Sequence, residues 1–332
     1  NLASGTLVLL LVPGRIEKVE SEQISQRVLG MALPPRRHGL LNLRDLEQAM
    51  ENLGRVPGLA ASFDLAPGET TGGTRVIVHR AEQRPYRAAL FVNEKYYGST
   101  AHGIARASLE LGSPFAMTDR MVLSVNSDLD DAISDRAWGV GLDYDLGWHY
   151  WLVTLAANRQ AYETVVVNTF SNVQSAGKTD SVRSDLSRVV YRTDVSRLTM
   201  GGFIGHTDVL NELQGIRLDV SSYRLNSAGV RLDGTHLWRR YQFGVTANAE
   251  HMEAAAAAEV FDRAGQRYQL YITALRSFDF YRSAVQIRLN GQFSDAELVP
   301  ASRFSITALV RGYEDIAFSG NSGAAASIEY SV

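Results

Sequence analysis

The sequence predicts a mainly β protein: a transmembrane antiparallel β-barrel, with about twelve of its strands present, preceded by a small α+β domain. Three observations predict it. Helical periodicity is confined to residues before about 81; a period of two governs everything from about Tyr86 onward; and the segments of that second region are joined alternately by short and long connections.

In the first region, residues 1–81, Thr6–Val12 and Arg15–Val19 read as strands around a Pro13-Gly14 turn, with two more at Ala60–Leu65 and Thr74–His79. Asn42 has the chemistry of a helix cap, with Asp45 three residues on, and Leu43, Leu46, Met50 and Leu53 recur at helical spacing. That spacing predicts a helix whose four apolar residues enter the core. Ile24–Ala32 reads as a weaker helix. The order strand, helix, helix, strand, strand makes a unit of about 75 residues, enough for a small core.

In the second region, residues 82–332, apolar and polar residues interleave. Trp138, Val140, Leu142, Tyr144 and Leu146 alternate with Gly139, Gly141, Asp143, Asp145 and Gly147. Val285, Ile287, Leu289 and Phe293 alternate with Gln286, Arg288, Asn290 and Gln292, and similar ladders follow to Val332. A soluble β-sandwich alternates as well. The barrel is favoured by segments of about ten residues carrying Asp, Arg, Gln and Asn on one face. Connections favour it too: short ones at Gly147-Trp148-His149, Asp194-Val195 and Phe280-Tyr281-Arg282, long ones at Asn168–Lys178, Met252–Gln266 and Ala296–Asn321. Trp148, Tyr150, Trp151, Trp238, Tyr241 and Tyr281 gather near strand ends, where an aromatic girdle would lie.

Composition narrows the function classes. The chain has 332 residues, 21% of them charged and 45% apolar, which excludes disorder. No apolar run reaches 18 residues, so no membrane-spanning helix is expected, a statement that leaves strands untouched. Cysteine is absent, which removes thiolate metal sites and cysteine nucleophiles. A net charge of −3 without a basic run argues against nucleic acid as a partner. No phosphate loop, HExxH or EF-hand pattern occurs, so no cofactor and no metal are expected. His206-Thr207-Asp208 and Asp233 with His236 place bases near acids, but no nucleophile accompanies them; no catalytic residue is expected, and the protein is not read as an enzyme.

Four motifs in order carry a resemblance. Gly5-Thr6-Leu7 through Pro13-Gly14-Arg15-Ile16, Leu41 to Gln48, and Leu65, Pro67, Gly68 with Gly72-Gly73-Thr74 resemble the opening, second helix and exit of a POTRA domain. Val310-Arg311-Gly312-Tyr313 resembles the tip motif of the sixth extracellular loop of two-partner secretion transporters (TpsB proteins). That family, whose members export filamentous haemagglutinin, haemolysins and contact-dependent toxins, joins periplasmic POTRA domains to a sixteen-stranded outer-membrane barrel.

The resemblance implies a fragment, with the second of two POTRA domains at residues 1–81 and an incomplete barrel at 82–332, because the family's plug helix, first POTRA domain and last four strands have no counterpart. It implies a monomer in the outer membrane, its POTRA domain in the periplasm, contacting lipid and an unfolded secreted partner. An assembly factor of the same superfamily, which inserts barrels, is the alternative. The loop bearing Val310, Arg311, Gly312 and Tyr313 is expected to fold into the lumen, where the permanently charged Arg311 needs an acid on the wall. The family's usual partner lies beyond Val332; Asp143 and Asp145, on the expected lumen face, are either substitutes for it or ordinary residues of a wet lumen.

Overall fold

The structure is a computed structural model and describes residues 12–34, 39–97, 100–129, 135–167, 172–256, 263–279, 283–306 and 319–331. The chain divides into two compact units, one of residues 1–87 with 111–120 and 146–150, the other of the remainder.

The first unit contains β1 (Arg15–Glu20), α1 (Gln26–Ala32), α2 (Leu43–Gly54), β2 (Ala61–Pro67) and β3 (Gly73–Arg80), in the expected order. The strand expected over Thr6–Val12 lies outside the described residues except for Val12. β3 is central, parallel to β1 and antiparallel to β2. Ser25 caps α1 by accepting from the Val28 N–H, and Asn42 caps α2 by accepting from the Arg44 N–H at 3.0 Å. Leu46, Ala49 and Leu53 of α2 enter the core with Val28, Leu29, Val76 and Val78. Leu43 and Met50 do not: they are 60% and 44% exposed. The buried face of α2 is rotated from the one expected, because it also takes in the polar side chains of Asp45, Gln48 and Asn52.

The second region holds β4 (Tyr86–Tyr97), β5 (Thr100–Gly112), β6 (Asp119–Asp128), β7 (Asp135–Trp148), β8 (Trp151–Val167), β9 (Asn172–Arg192), β10 (Ser196–Leu213), β11 (Ile216–Arg217), β12 (Tyr223–Trp238), β13 (Tyr241–Ala256), β14 (Ala264–Ser277) and β15 (Ala284–Ser294). A 3-10 turn at Pro300–Ser302, β16 (Phe304–Ser305), β17 (Ser319–Gly320) and β18 (Gly323–Ser331) complete it. Twelve of these strands form one antiparallel meander ordered from β4 to β18, with β11 attached to the end of β10 and β16 paired with β17.

The alternation holds, but two long connections are shorter than expected. Asn172–Lys178 is already strand, and β13 and β14 run to Ala256 and from Ala264. These extensions stay paired to their neighbours although, Val173 and Met252 apart, their residues are polar or small, so no apolar rhythm marks them. Of the expected short connections, residues 280–282 lie outside the described residues. His149, Gln214 and Arg239 take positive φ at the two-residue turns after β7, β10 and β12, the backbone sense that such hairpins demand.

The register separates two faces. One carries Val285, Ile287, Leu289 and Phe293 of β15, Tyr268, Leu270 and Ile272 of β14, Phe243 and Val245 of β13, Val230 of β12, Met200 and Ile204 of β10, Val182 and Leu186 of β9, and Ile328, which is 75% exposed. Apolar side chains exposed in such number on a continuous sheet have no place in water. On β15 the stripe runs from Val285 to Phe293, matching the about 9–11 residues with which a tilted strand crosses a bilayer. Toward the turns between β12 and β13 it ends in stacked Trp238, Tyr241 and Phe243, with the Arg276 guanidinium 4.9 Å over the Tyr241 ring. At the other end it gives way to ion pairs: Arg159 and Lys178 with Asp180, and Arg224 with Asp208 at 3.3 Å.

Candidate functional site

The opposite face is polar, and its charges are arranged in neighbouring pairs. Arg183 lies along its own strand against Asp185 at 2.9 Å, with its guanidinium 3.8 Å over the Phe203 ring; Arg231 meets Asp233 at 2.7 Å, and Arg288 meets Glu329 at 2.9 Å. Thr246 donates to Asp233 at 2.8 Å. The guanidinium and carboxylate groups thus neutralise each other within the wall.

The two described ends of the connection between β15 and β18 lie along this face. The leading arm, Asp295–Ser305, and the trailing arm, Ser319–Ser322, pair with each other through Phe304–Gly320 and Ser305–Ser319. The wall holds both arms. Arg267, paired across β13 and β14 with Glu250, donates from Nε to Glu250 at 3.0 Å and from Nη1 to the Ser302 carbonyl at 3.0 Å. Gln292 of β15 donates from Nε2 to the carbonyls of Ser302 at 3.0 Å and Asn321 at 3.1 Å. The Tyr223 hydroxyl is hydrogen-bonded to the backbone of Ala301, and the Leu298 N–H donates to Asn321 Oδ1 at 3.0 Å. Glu250 is 5% exposed and Gln292 7%, and Leu298 and Val299 are buried. None of these wall residues was singled out by sequence reasoning. The only signal was that Glu250, Arg267 and Gln292 occupy polar-face positions of three strands that prove adjacent.

The first unit holds a second polar set. The Asn52 amide donates to the carbonyls of Ala32 at 3.0 Å and His149 at 2.7 Å, the His149 N–H donates to Met31 O at 2.8 Å, and the Tyr150 hydroxyl donates to Asp45. Tyr150, expected in an aromatic girdle, instead serves α2. Asp45, expected beside the helix cap, is a buried acceptor for it. A side chain added at Gly112 would run into the carbonyl of Pro57, so the residue there is small because backbone meets backbone.

The expected tip motif, Val310, Arg311, Gly312 and Tyr313, lies outside the described residues. Asp143 and Asp145 stand on the polar-face positions of β7, Asp145 buried and Asp143 half-buried. The histidines and acids singled out in the sequence are engaged by other residues. His206 Nδ1 lies 2.7 Å from Asn226 and His236 Nδ1 2.7 Å from Ser196 Oγ, while Asp208 and Asp233 are engaged by arginines. Among the described residues no group of histidines and carboxylates is placed to hold a metal ion.

A long antiparallel sheet with one apolar and one polar face, following a small α+β domain, defines a membrane β-barrel protein of the POTRA-bearing class. Residues 15–67 match the POTRA domain, and residues 72–331 match the haemolysin secretion/activation protein ShlB/FhaC/HecB family. The chain belongs to that family.

The outer membrane transporter CdiB of Dickeya dadantii is 26% identical over 98% of this chain and 60% of its own length. The hemolysin transporter protein ShlB of Serratia marcescens is 26% identical over 71% of this chain and 42% of its own. The solved structure of CdiB from Escherichia coli superposes with a TM-score of 0.87 at 23% identity, over 96% of this chain and 62% of that one, and so shares its barrel fold. The chain thus spans about 60% of the length of the transporter it matches along nearly all of its own.

Proposed function

We propose that this chain is part of an outer-membrane translocator of two-partner secretion, which passes an unfolded partner exoprotein, an adhesin, haemolysin or toxin, from the periplasm to the cell surface. In this reading residues 1–81 are a periplasmic POTRA domain and residues 82–332 form barrel wall, apolar face to lipid and polar face to the lumen. The protein acts as a monomer, without cofactor or catalysis. The observation that carries the reading is the pair of arms lying on the polar face: a connection folded back along the wall belongs to a lumen that is occupied and regulated, not to an open diffusion pore. Between those arms the Val310–Tyr313 motif supplies the anchor, Arg311 seeking a carboxylate on the wall, with Asp143 and Asp145 the candidates in this chain.

The test is export of the partner by cells carrying Arg311→Ala in the full-length protein. Export is expected to fall sharply while the barrel remains in the outer membrane with its heat-modifiable mobility in gels. Undiminished export from that variant would remove the anchor assignment.

A further inference from the structure

In the proposed translocator the two described arms of the β15–β18 connection are fastened to the wall by side chains of β13, β14 and β15. We infer that Glu250, Arg267 and Gln292 are positioning residues that form a built-in clamp, fixing the two arms against the wall whatever the tip between them does.

Three features carry this. First, the clamp is selective for backbone. Arg267 Nη1 and Gln292 Nε2 both donate to the Ser302 carbonyl, and Gln292 Nε2 also donates to the Asn321 carbonyl, so one amide ties the leading arm to the trailing one. Backbone acceptors make the grip independent of the side chains that the arms carry. Second, the clamp is preset by the wall. Glu250 receives Arg267 Nε at 3.0 Å and also its Nη2, which aims the remaining donor nitrogen at the arm; Gln292 Oε1 accepts from Gln269 at 2.9 Å, which orients its amide nitrogen the same way. Third, the groups are sheltered, Glu250 and Gln292 being buried and Ser302 likewise, so an unmade bond there is not replaced by bulk water. Arg288, on the same face, donates to Glu329 at 2.9 Å and to Gln286 at 2.7 Å within the wall itself, which supplies an internal control.

The inference rests on the translocator reading for its purpose but not for its test, which needs no secretion. The sequence has no cysteine, so a spin label at an introduced Ala301→Cys and another at Thr199→Cys, on the polar face of β10, report one distance in the full-length protein in detergent micelles. With the native clamp the distance distribution is expected to be narrow. Arg267→Met and Gln292→Leu are each expected to lose the narrow component, Arg288→Met to keep it, and Arg311→Ala to keep it as well. The double variant Glu250→Leu with Arg267→Met, which removes the same donor to Ser302 without stranding a charge on the wall, gives a second route to loosening should a single wall variant fail to fold. A narrow distribution retained in Gln292→Leu, Arg267→Met and the double variant Glu250→Leu with Arg267→Met, with the barrel still heat-modifiable, would overturn the clamp. Normal export by Arg311→Ala with loosened arms in the clamp variants would instead sink only the anchor.

Discussion

Asn52 on α2 donates its side-chain amide to the backbone carbonyl of His149, 97 residues further along the chain, at 2.7 Å. The same amide reaches Ala32 at the end of α1, and the ring of His149 lies 3.0 Å from the Gly30 carbonyl. A single polar side chain on a helix face therefore holds together two helices and a hairpin turn within the first unit. Amides do this well because one nitrogen carries two protons in a fixed plane.

Asn52→Leu keeps the approximate volume and removes both donors, leaving two carbonyls without them. The expected loss is about 1–3 kcal/mol of stability, the cost of unmet buried acceptors. Urea unfolding followed by tryptophan fluorescence of the turn, which carries Trp148, measures it; a variant as stable as the native protein would show that water replaces the amide.

Glu250→Gln should cost more, about 3–5 kcal/mol, because it strands the Arg267 guanidinium on a sheltered wall. Replacing both partners, Glu250→Leu with Arg267→Met, should recover much of that loss, since the isolated charge disappears along with its mate. Equilibrium unfolding in micelles compares the two.

Charge placed on the two faces should separate them. Val230→Arg, in the middle of the apolar stripe of β12, is expected to cost about 2–4 kcal/mol in a bilayer, whereas Thr199→Arg, on the opposite face, should be tolerated. Equal penalties for the two would contradict the assignment of one face to lipid.

Glu20 gives a pH prediction outside the sheet. The Lys18 ammonium 2.7 Å away, helped by Arg75, holds its carboxyl below the ordinary glutamate value. A depressed folded pKa stabilises the folded state above the unfolded value, and the contribution disappears as pH falls through the folded one. Lys18→Met should move the Glu20 titration upward toward the ordinary glutamate value, read by carboxyl chemical shifts in NMR. An unmoved titration would mean that Lys18 is not its cause.

Much of this architecture was legible in the sequence, and the exceptions share a cause. Val285, Ile287, Leu289 and Phe293 announced their strand because lipid-side and lumen-side residues differ in polarity at every step. Asn172–Lys178 did not, since Val173 is its one large apolar residue and a single such residue sets up no alternation. Leu43 and Met50 misled because helical spacing identifies a face but not which of two adjoining faces is covered; Asp45, Gln48 and Asn52 are covered instead, Asp45 and Asn52 through partners far away in the chain and Gln48 through its bond to Asn52. Glu250, Arg267 and Gln292 were invisible for a similar reason, being neighbours only after three strands pair.

The side-by-side pairing of Arg183 with Asp185, and of Arg231 with Asp233, carries one more consequence. Opposite charges two positions apart on one strand present a polypeptide sliding past with short-range dipoles and little long-range field, because each sign is cancelled within a few ångströms. If the proposed translocation holds, such a lining would be indifferent to whether a passing segment is acidic or basic, neither kind being repelled at entry or caught midway.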